Sequence, residues 1–219
     1  MRAIKKQGGF TLVEIAIVLV IIGLLLAGVL KGQEMIENGR VKSAATDLNG
    51  VAAAYNSYLD RYKAVPGDDG PTATIQARGA SWALMTGGDA NGVIVAAANA
   101  TFTGAGESGL FFRHLRAAGY LTGDPALIGV NALPLNAWGG RTGIVNVASI
   151  QGRPAVARLL VCTGNVPGKS ASALDVQLDD RLPNTGNLRA NAGANNTAPA
   201  VAAPAAYTED QVYTVCRDL

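Results

Sequence analysis

A chain of 219 residues has room for one ordinary domain and an appendage, and 5% aromatic residues with 27 glycines limit its soluble part to a modest core with many turns. The formal net charge is +2, but Arg2, Lys5 and Lys6 stand together at the start, and without them 15 basic residues face 16 acidic ones. That balance gives no electrostatic case for nucleic-acid binding, which normally shows as a concentrated basic patch.

The three early charges lead directly into "GGFTLVEIAIVLVIIGLLLAGVL", residues 8–30. From 10 to 30 every residue except Thr11 and Glu14 is apolar or glycine. As a helix this run is about 31 Å long, enough to cross the hydrocarbon core of a bilayer. The positive-inside rule keeps the amino terminus in the cytoplasm and places everything after residue 30 outside. A cleaved secretory signal fits poorly, because its apolar part spans only ~7–15 residues and ends in an A-x-A site. A lipoprotein signal fails because Val29 stands where the modified cysteine is needed. The plain alternative is an uncleaved signal anchor.

Glu14 is the anomaly of the span. An ionised side chain costs about 3 kcal/mol at the centre of a membrane helix and less near its end. "TLVE" is also a capping box, in which Thr11 and Glu14 satisfy orphan amides at a helix start, and an acid in the first turn suits the macrodipole. Capping explains an acid near the end but not the benefit of burying it.

Helical spacing continues beyond the apolar run. Val41, Ala44, Ala45, Leu48, Ala52, Tyr55, Leu59 and Tyr62 recur three and four apart, with Arg40, Lys42, Asp47, Asn49 and Asp60 largely between them. This predicts one helix over about residues 10–62, apolar all round to residue 30 and amphipathic from 31 to 62. Gly32 and Gly39 each cost up to about 1 kcal/mol against alanine, so a bend or melted turn is expected there. "VPGDDG", residues 65–70, ends the helix.

Residues 67–106 read as a long irregular connection with one short element at 82–85. "ESGLFFRHLRAAGYL" reads as a short helix with Phe111, His114, Leu115 and Ala118 on one face and Gly119 as its stop. "TGIVNVASI" at 142–150 alternates like a strand, and "AVARLLVC" at 155–162 fits a buried strand beside it. A helix is expected at 170–181, a flexible low-complexity surface loop at 189–206, and a final strand in "QVYTVC". The two cysteines, Cys162 and Cys216, both fall in the part placed outside, where an even count favours a disulfide. Closing that loop would stabilise the fold by about 4 kcal/mol in the chain-entropy view. The expected architecture is α+β: a long amino-terminal helix whose second half packs on a small antiparallel sheet in a head covering residues 63–219.

Catalytic readings are weak. "GAGESG" at 104–109 matches G-x-G-x-x-G but lacks a preceding strand and a βαβ setting. Ser108 is followed by Gly109 and does not form a nucleophile elbow. His114, the single histidine, falls on the apolar face of its helix and reads as a packed core residue. Asp68, Asp69, Asp89 and Asn91 offer calcium-type oxygens, but their spacing fits no loop motif, and solvated turn residues are the expectation. No catalytic residue, metal site or cofactor is expected.

The stretch "KKQGGFTLVEIAIVLVIIG" resembles the prepilin signal of type IV pilins and of the pseudopilins of type II secretion. The resemblance is strong over residues 5–62. It implies that residues 1–9 are a leader, that a prepilin peptidase cuts between Gly9 and Phe10, and that the same enzyme methylates the new amine of Phe10. It further implies that Glu14 pairs with the methylated amine of Phe10 in a neighbouring subunit, with other pilin subunits and an inner-membrane assembly machinery as partners. "YKAVPGDD", "SGLFFRHLRAAGYL" and "VPGKSASALDVQLDDR" are also similar to segments of prepilin-type proteins of Gram-negative bacteria, and Cys162 with Cys216 resembles the family's carboxy-terminal disulfide. Lys31 is a departure, since major pilins and the major pseudopilin commonly carry proline there. The expectation is therefore a structural subunit, held in the inner membrane before assembly and in a pilus or periplasmic pseudopilus afterwards. A non-assembling, signal-anchored protein with a periplasmic binding head is the competing expectation.

Overall fold

The computed structural model describes residues 9, 11–154 and 156–219. The leader and Phe10, with the cleavage, methylation and ion-pair roles expected of Phe10, lie outside the described residues. The chain divides into two compact units, Met1–Gly39 and Arg40–Leu219.

Helix α1 spans Leu12–Tyr62 and belongs to both units. In the first unit its aliphatic side chains are exposed on every side, from Leu12 through Leu30 to Ile36. A helix apolar all round needs lipid or other helices to cover it. α1 runs through Gly32 and Gly39 without a break in its helical assignment, so the melted turn expected there does not occur. Two isolated glycines weaken a helix by an amount that the rest of 51 residues readily offsets.

In the second unit α1 buries Val41, Ala44, Ala45, Leu48, Val51, Ala54 and Tyr58. The predicted stripe agrees through Leu48 and then shifts by one residue: Ala52, Tyr55, Leu59 and Tyr62 lie at its half-buried margin, while Val51, Ala54 and Tyr58 take the centre. Helical geometry allows either choice, and the aromatic cluster around Tyr58 decides it.

The connection after α1 is less irregular than its composition suggests. It holds the short helix α2, Thr72–Gln76, and two single 3-10 turns at Ala80–Trp82 and Ala98–Ala100. Trp82 and Met85 are buried, as is Ile75 of α2. Helix α3 follows at Gly106–Ala117, burying Phe111, Phe112, His114 and Leu115, with Gly119 in the left-handed region just beyond it.

The remainder forms a four-stranded antiparallel sheet, which makes the fold α+β. Its strands are β1 (Thr142–Val147), β2 (Arg158–Pro167), β3 (Leu188–Ala192) and β4 (Val212–Asp218), in the order β1-β2-β4-β3. Helix α4, Gly168–Leu178, leaves β2 directly and packs against β2, β3 and β4, while α3 packs against β1. β2 starts later and runs further than expected, because a bulge between Thr163 and Val166, with Asn165 at φ 58°, carries pairing through a Gly-Asn step that reads as a turn. Asn136 secures the bulge: its amide donates to the Thr163 hydroxyl (2.7 Å) and the Gly164 carbonyl (2.6 Å).

The loop expected at 189–206 is corrected at its start. Arg189, Ala190, Asn191 and Ala192 belong to β3 and pair with β4, and Asn191 is buried, accepting from the Gln151 side chain at 2.8 Å. Alanine and asparagine have little strand preference, so pairing with β4 and burial overrule composition here. Cys162 and Cys216 are register partners on β2 and β4 and form a disulfide, both fully buried.

Candidate functional site

Two regions carry the chemistry: the start of α1 and the turn that follows its end. At the start, the Thr11 backbone amide and the Thr11 hydroxyl each donate to Glu14 Oε2 at 2.8 Å, and the Glu14 amide donates back to Thr11 Oγ1 at 3.3 Å. This is a closed capping box. It holds the carboxylate beside the first turn, three residues from Thr11, on a helix whose neighbouring side chains Leu12, Val13 and Ile15 are exposed. Gly9 is exposed, with open space where a Cβ would stand.

At the other end of α1, the expectation of solvated turn residues holds for Asp89 and Asn91, which are exposed, and is overturned for Asp68 and Asp69. Asp68 and Asp69 are 2% and 3% exposed. Asp69 Oδ2 accepts from the Tyr58 hydroxyl (2.5 Å) and Arg78 Nη1 (2.5 Å), while Oδ1 accepts from Arg78 Nη2 (3.2 Å). The Arg78 guanidinium also covers the Tyr62 ring at 4.4 Å and the Trp82 ring at 5.1 Å. Burial, then the hydrogen bond to Asp69, pushes the Tyr58 hydroxyl pKa well above its ordinary value, so Tyr58 stays a donor. His114 accepts from the Gly67 amide at Nδ1 (3.0 Å), which fixes the Nε2–H tautomer and makes Nε2 the donor to the Thr86 carbonyl (2.8 Å). Burial lowers its pKa and keeps it neutral. The result is a knot tying the end of α1 to α3 through the 67–86 turn, and every member is occupied structurally.

Asp68 points the other way, accepting from the Asn91 amide (3.2 Å) and the Gly92 amide (2.8 Å). Glu107 accepts from the Asp89 amide (3.3 Å) and the Val95 amide (2.6 Å). The carboxylates of Asp68, Asp89 and Glu107 converge within 4.8 Å, and desolvation raises the Asp68 pKa. Asp69 is not among them. The group serves as a set of acceptors that folds residues 89–95 onto α3.

"GAGESG" has a packing explanation. A Cβ on Gly109 would meet the Gly104 carbonyl oxygen at 2.1 Å, and one on Gly104 would meet the Gly129 carbonyl oxygen at 2.0 Å. Three backbones approach too closely for side chains, which accounts for Gly104 and Gly109 without a phosphate, while Gly106 stands in the left-handed region at φ 60° with open space around it.

Sequence reading missed Tyr58, Arg78 and Arg153. Arg153 is buried, donating to Asp218 Oδ1 (3.1 Å), the Gln151 side chain (3.0 Å) and the Asn187 and Cys216 carbonyls (2.7 and 3.0 Å). Apart from nearby Gln151, its partners lie more than 30 residues away, and the arginine of Gly-Arg-Pro gives no local sign of them.

Residues 4–30 match the family model of the prokaryotic N-terminal methylation motif. This motif is the signal of type IV pilins and pseudopilins, and it supports a type IV pilin-like precursor. It implies processing by a prepilin peptidase and pilin-type assembly in general, and with one helix among the described residues long and apolar enough to cross a membrane it suggests membrane anchoring. No curated protein matches the chain.

Proposed function

We propose that the chain is a structural subunit, made as an inner-membrane precursor with its amino terminus in the cytoplasm. Prepilin peptidase cuts it between Gly9 and Phe10, methylates the Phe10 amine, and so releases residues 1–9 as a leader. The mature chain then packs through α1, as a filament-core segment at residues 10–30 and its amphipathic continuation at 31–62, into a pilus or pseudopilus. Glu14 meets the methylated amine of Phe10 on a neighbouring subunit and fixes axial register. Methylation leaves that amine cationic, and in a helix bundle of low dielectric a matched pair is strongly favoured over either charge alone. The head is not assigned catalysis.

The observation that carries this reading is the methylation motif running into a helix whose apolar side chains are exposed on all sides. Mass spectrometry of the amino terminus tests it. In a host with an active prepilin peptidase the chain should begin at N-methylated Phe10, and in one lacking that enzyme at Met1. A chain that keeps Met1 in both hosts rejects the reading in favour of an uncleaved anchor.

A further inference from the structure

Asparagine is followed by glycine three times, at Asn38–Gly39, Asn49–Gly50 and Asn91–Gly92. At such a step the backbone nitrogen of the glycine can attack the asparagine side-chain carbonyl, because no Cβ on the second residue blocks the approach. The first two steps lie inside α1, where the glycine amide is tied into the helical hydrogen-bond ladder. The third lies in the loop between α2 and α3. Both its residues are exposed, with Gly92 at φ 88° and open space where a Cβ would stand.

Each polar atom that the attack involves at Asn91 already has a partner suited to it. The Gly92 amide, the nucleophile, donates to Asp68 Oδ2 at 2.8 Å. The Asn91 side-chain carbonyl, the electrophile, accepts from the Val93 amide at 2.8 Å, which closes an Asx turn over the Gly92 peptide and sets a donor where negative charge develops. Asn91 Nδ2, the leaving nitrogen, donates to Asp89 Oδ2 at 2.8 Å. The Asn91 backbone amide donates to Asp68 Oδ1 and Asp89 Oδ1, both at 3.2 Å, and so stands between the two acids. Asp68 is buried, and desolvation, with Asp89 beside it, raises its pKa and makes it a stronger base than a solvated aspartate. The two carboxylates converge within 4.8 Å, in reach of a proton passed directly or through one water.

We propose that Asn91–Gly92 is a site of self-catalysed deamidation, with Asp68 as the base, the Val93 amide as the donor to the oxyanion, and Asp89 as the acid that serves the leaving nitrogen. Asp68 takes the Gly92 amide proton as the Gly92 nitrogen bonds to Asn91 Cγ. The Cγ–Nδ2 bond then breaks, and Nδ2 leaves as ammonia with the proton relayed through Asp89, so that residues 91 and 92 are joined in a succinimide. Water reaching the exposed loop opens the ring at either carbonyl, to aspartate or isoaspartate, and is the only co-reactant the balance requires. The product has lost the Nδ2–H donor to Asp89 and gained a carboxylate beside Asp68, Asp89 and Glu107. The conversion is therefore an irreversible change of charge in the loop that those acids fold onto α3. It is independent of the filament reading above.

The test incubates the full chain, folded in detergent and unfolded in denaturant, in isotopically labelled water, and follows the three Asn-Gly peptides by mass spectrometry. Asn91 should convert at least about tenfold faster in the folded chain than in the unfolded one, with one labelled oxygen in each product. Asn38 and Asn49 should convert more slowly folded than unfolded. A freshly isolated chain in which residue 91 is already aspartate or isoaspartate while Asn49 is intact supports the proposal equally. Asp68→Asn keeps an acceptor beside the Gly92 amide but no base, and should return Asn91 to the unfolded rate or below it. Conversion of Asn91 no faster in the folded native chain than in the unfolded one overturns the proposal, and this comparison needs no variant to fold. An unchanged rate in Asp68→Asn, with Asn49 still protected as the sign of an intact head, overturns it as well.

Discussion

A glutamine at position 14 closes the same capping box as a glutamate, since either side chain can reach back to the Thr11 amide. It cannot neutralise a cation. Glu14→Gln therefore separates the local role of this residue, visible in its bonds to Thr11, from the intersubunit role proposed for it. The variant chain should be cleaved normally, yet its share in filaments, measured against co-expressed native chain, should fall at least about tenfold, because a buried cation stripped of its carboxylate is costly by several kcal/mol. Incorporation equal to the native chain would show that Glu14 supplies only the cap. The Thr11–Glu14 box was legible in the sequence because its partners are three residues apart. His114 was legible as a packed core residue, but not its partners at Gly67 and Thr86; Asp69 was not legible, since its partners lie at Tyr58 and Arg78 and no local pattern distinguishes a paired aspartate from a solvated one.

Among elements, α1, α3 and α4 were legible because each repeats its apolar positions within a few turns, and β1 and β4 because their runs are short and rich in β-branched residues. β3 was not legible, since "LRANA" has neither alternation nor strand-forming residues and becomes a strand only through its ladder to β4. The 67–86 turn was equally opaque, and one of its anchors is the Arg78–Asp69 ion pair. Arg78 is about a fifth exposed and Asp69 nearly buried, at 2.5 Å, so removing the guanidinium leaves a carboxylate with the Tyr58 hydroxyl alone. Arg78→Ala should lower the unfolding free energy of the head by about 3 kcal/mol. Truncation of a ring cover at Tyr62 and Trp82 adds to this loss. Denaturant unfolding of the full chain in detergent, followed by the fluorescence of Trp82 and Trp138, measures it, and a change below about 0.5 kcal/mol would mean that the pair is solvated.

For the whole molecule, two buried groups oppose each other as pH changes. His114 is held neutral by burial, with its pKa below the ordinary 6.5, so on acidification the unfolded chain takes up a proton that the fold refuses. Stability supplied by that site is complete above about pH 6.5 and is lost as pH falls through the lower folded value. Asp175 behaves in the reverse sense. It is fully buried on α4, accepts from the Tyr207 hydroxyl (2.7 Å) and the Arg181 amide (2.9 Å), and faces Asp179 and Asp180. Desolvation, aided by those two acids, raises its pKa from 3.8 to about 6. The fold therefore holds this proton more tightly than the unfolded chain does; the contribution is complete below pH 3.8 and is lost as pH rises through about 6. Asp175→Asn removes the second contribution and leaves the first. Between pH 4 and pH 7 the variant should gain roughly 2 to 3 kcal/mol relative to the native chain, the equivalent of a two-unit shift. Thermal unfolding of the full chain in detergent at both pH values gives the comparison, and a variant offset by the same amount at pH 4 and pH 7 would show that Asp175 does not change charge on folding.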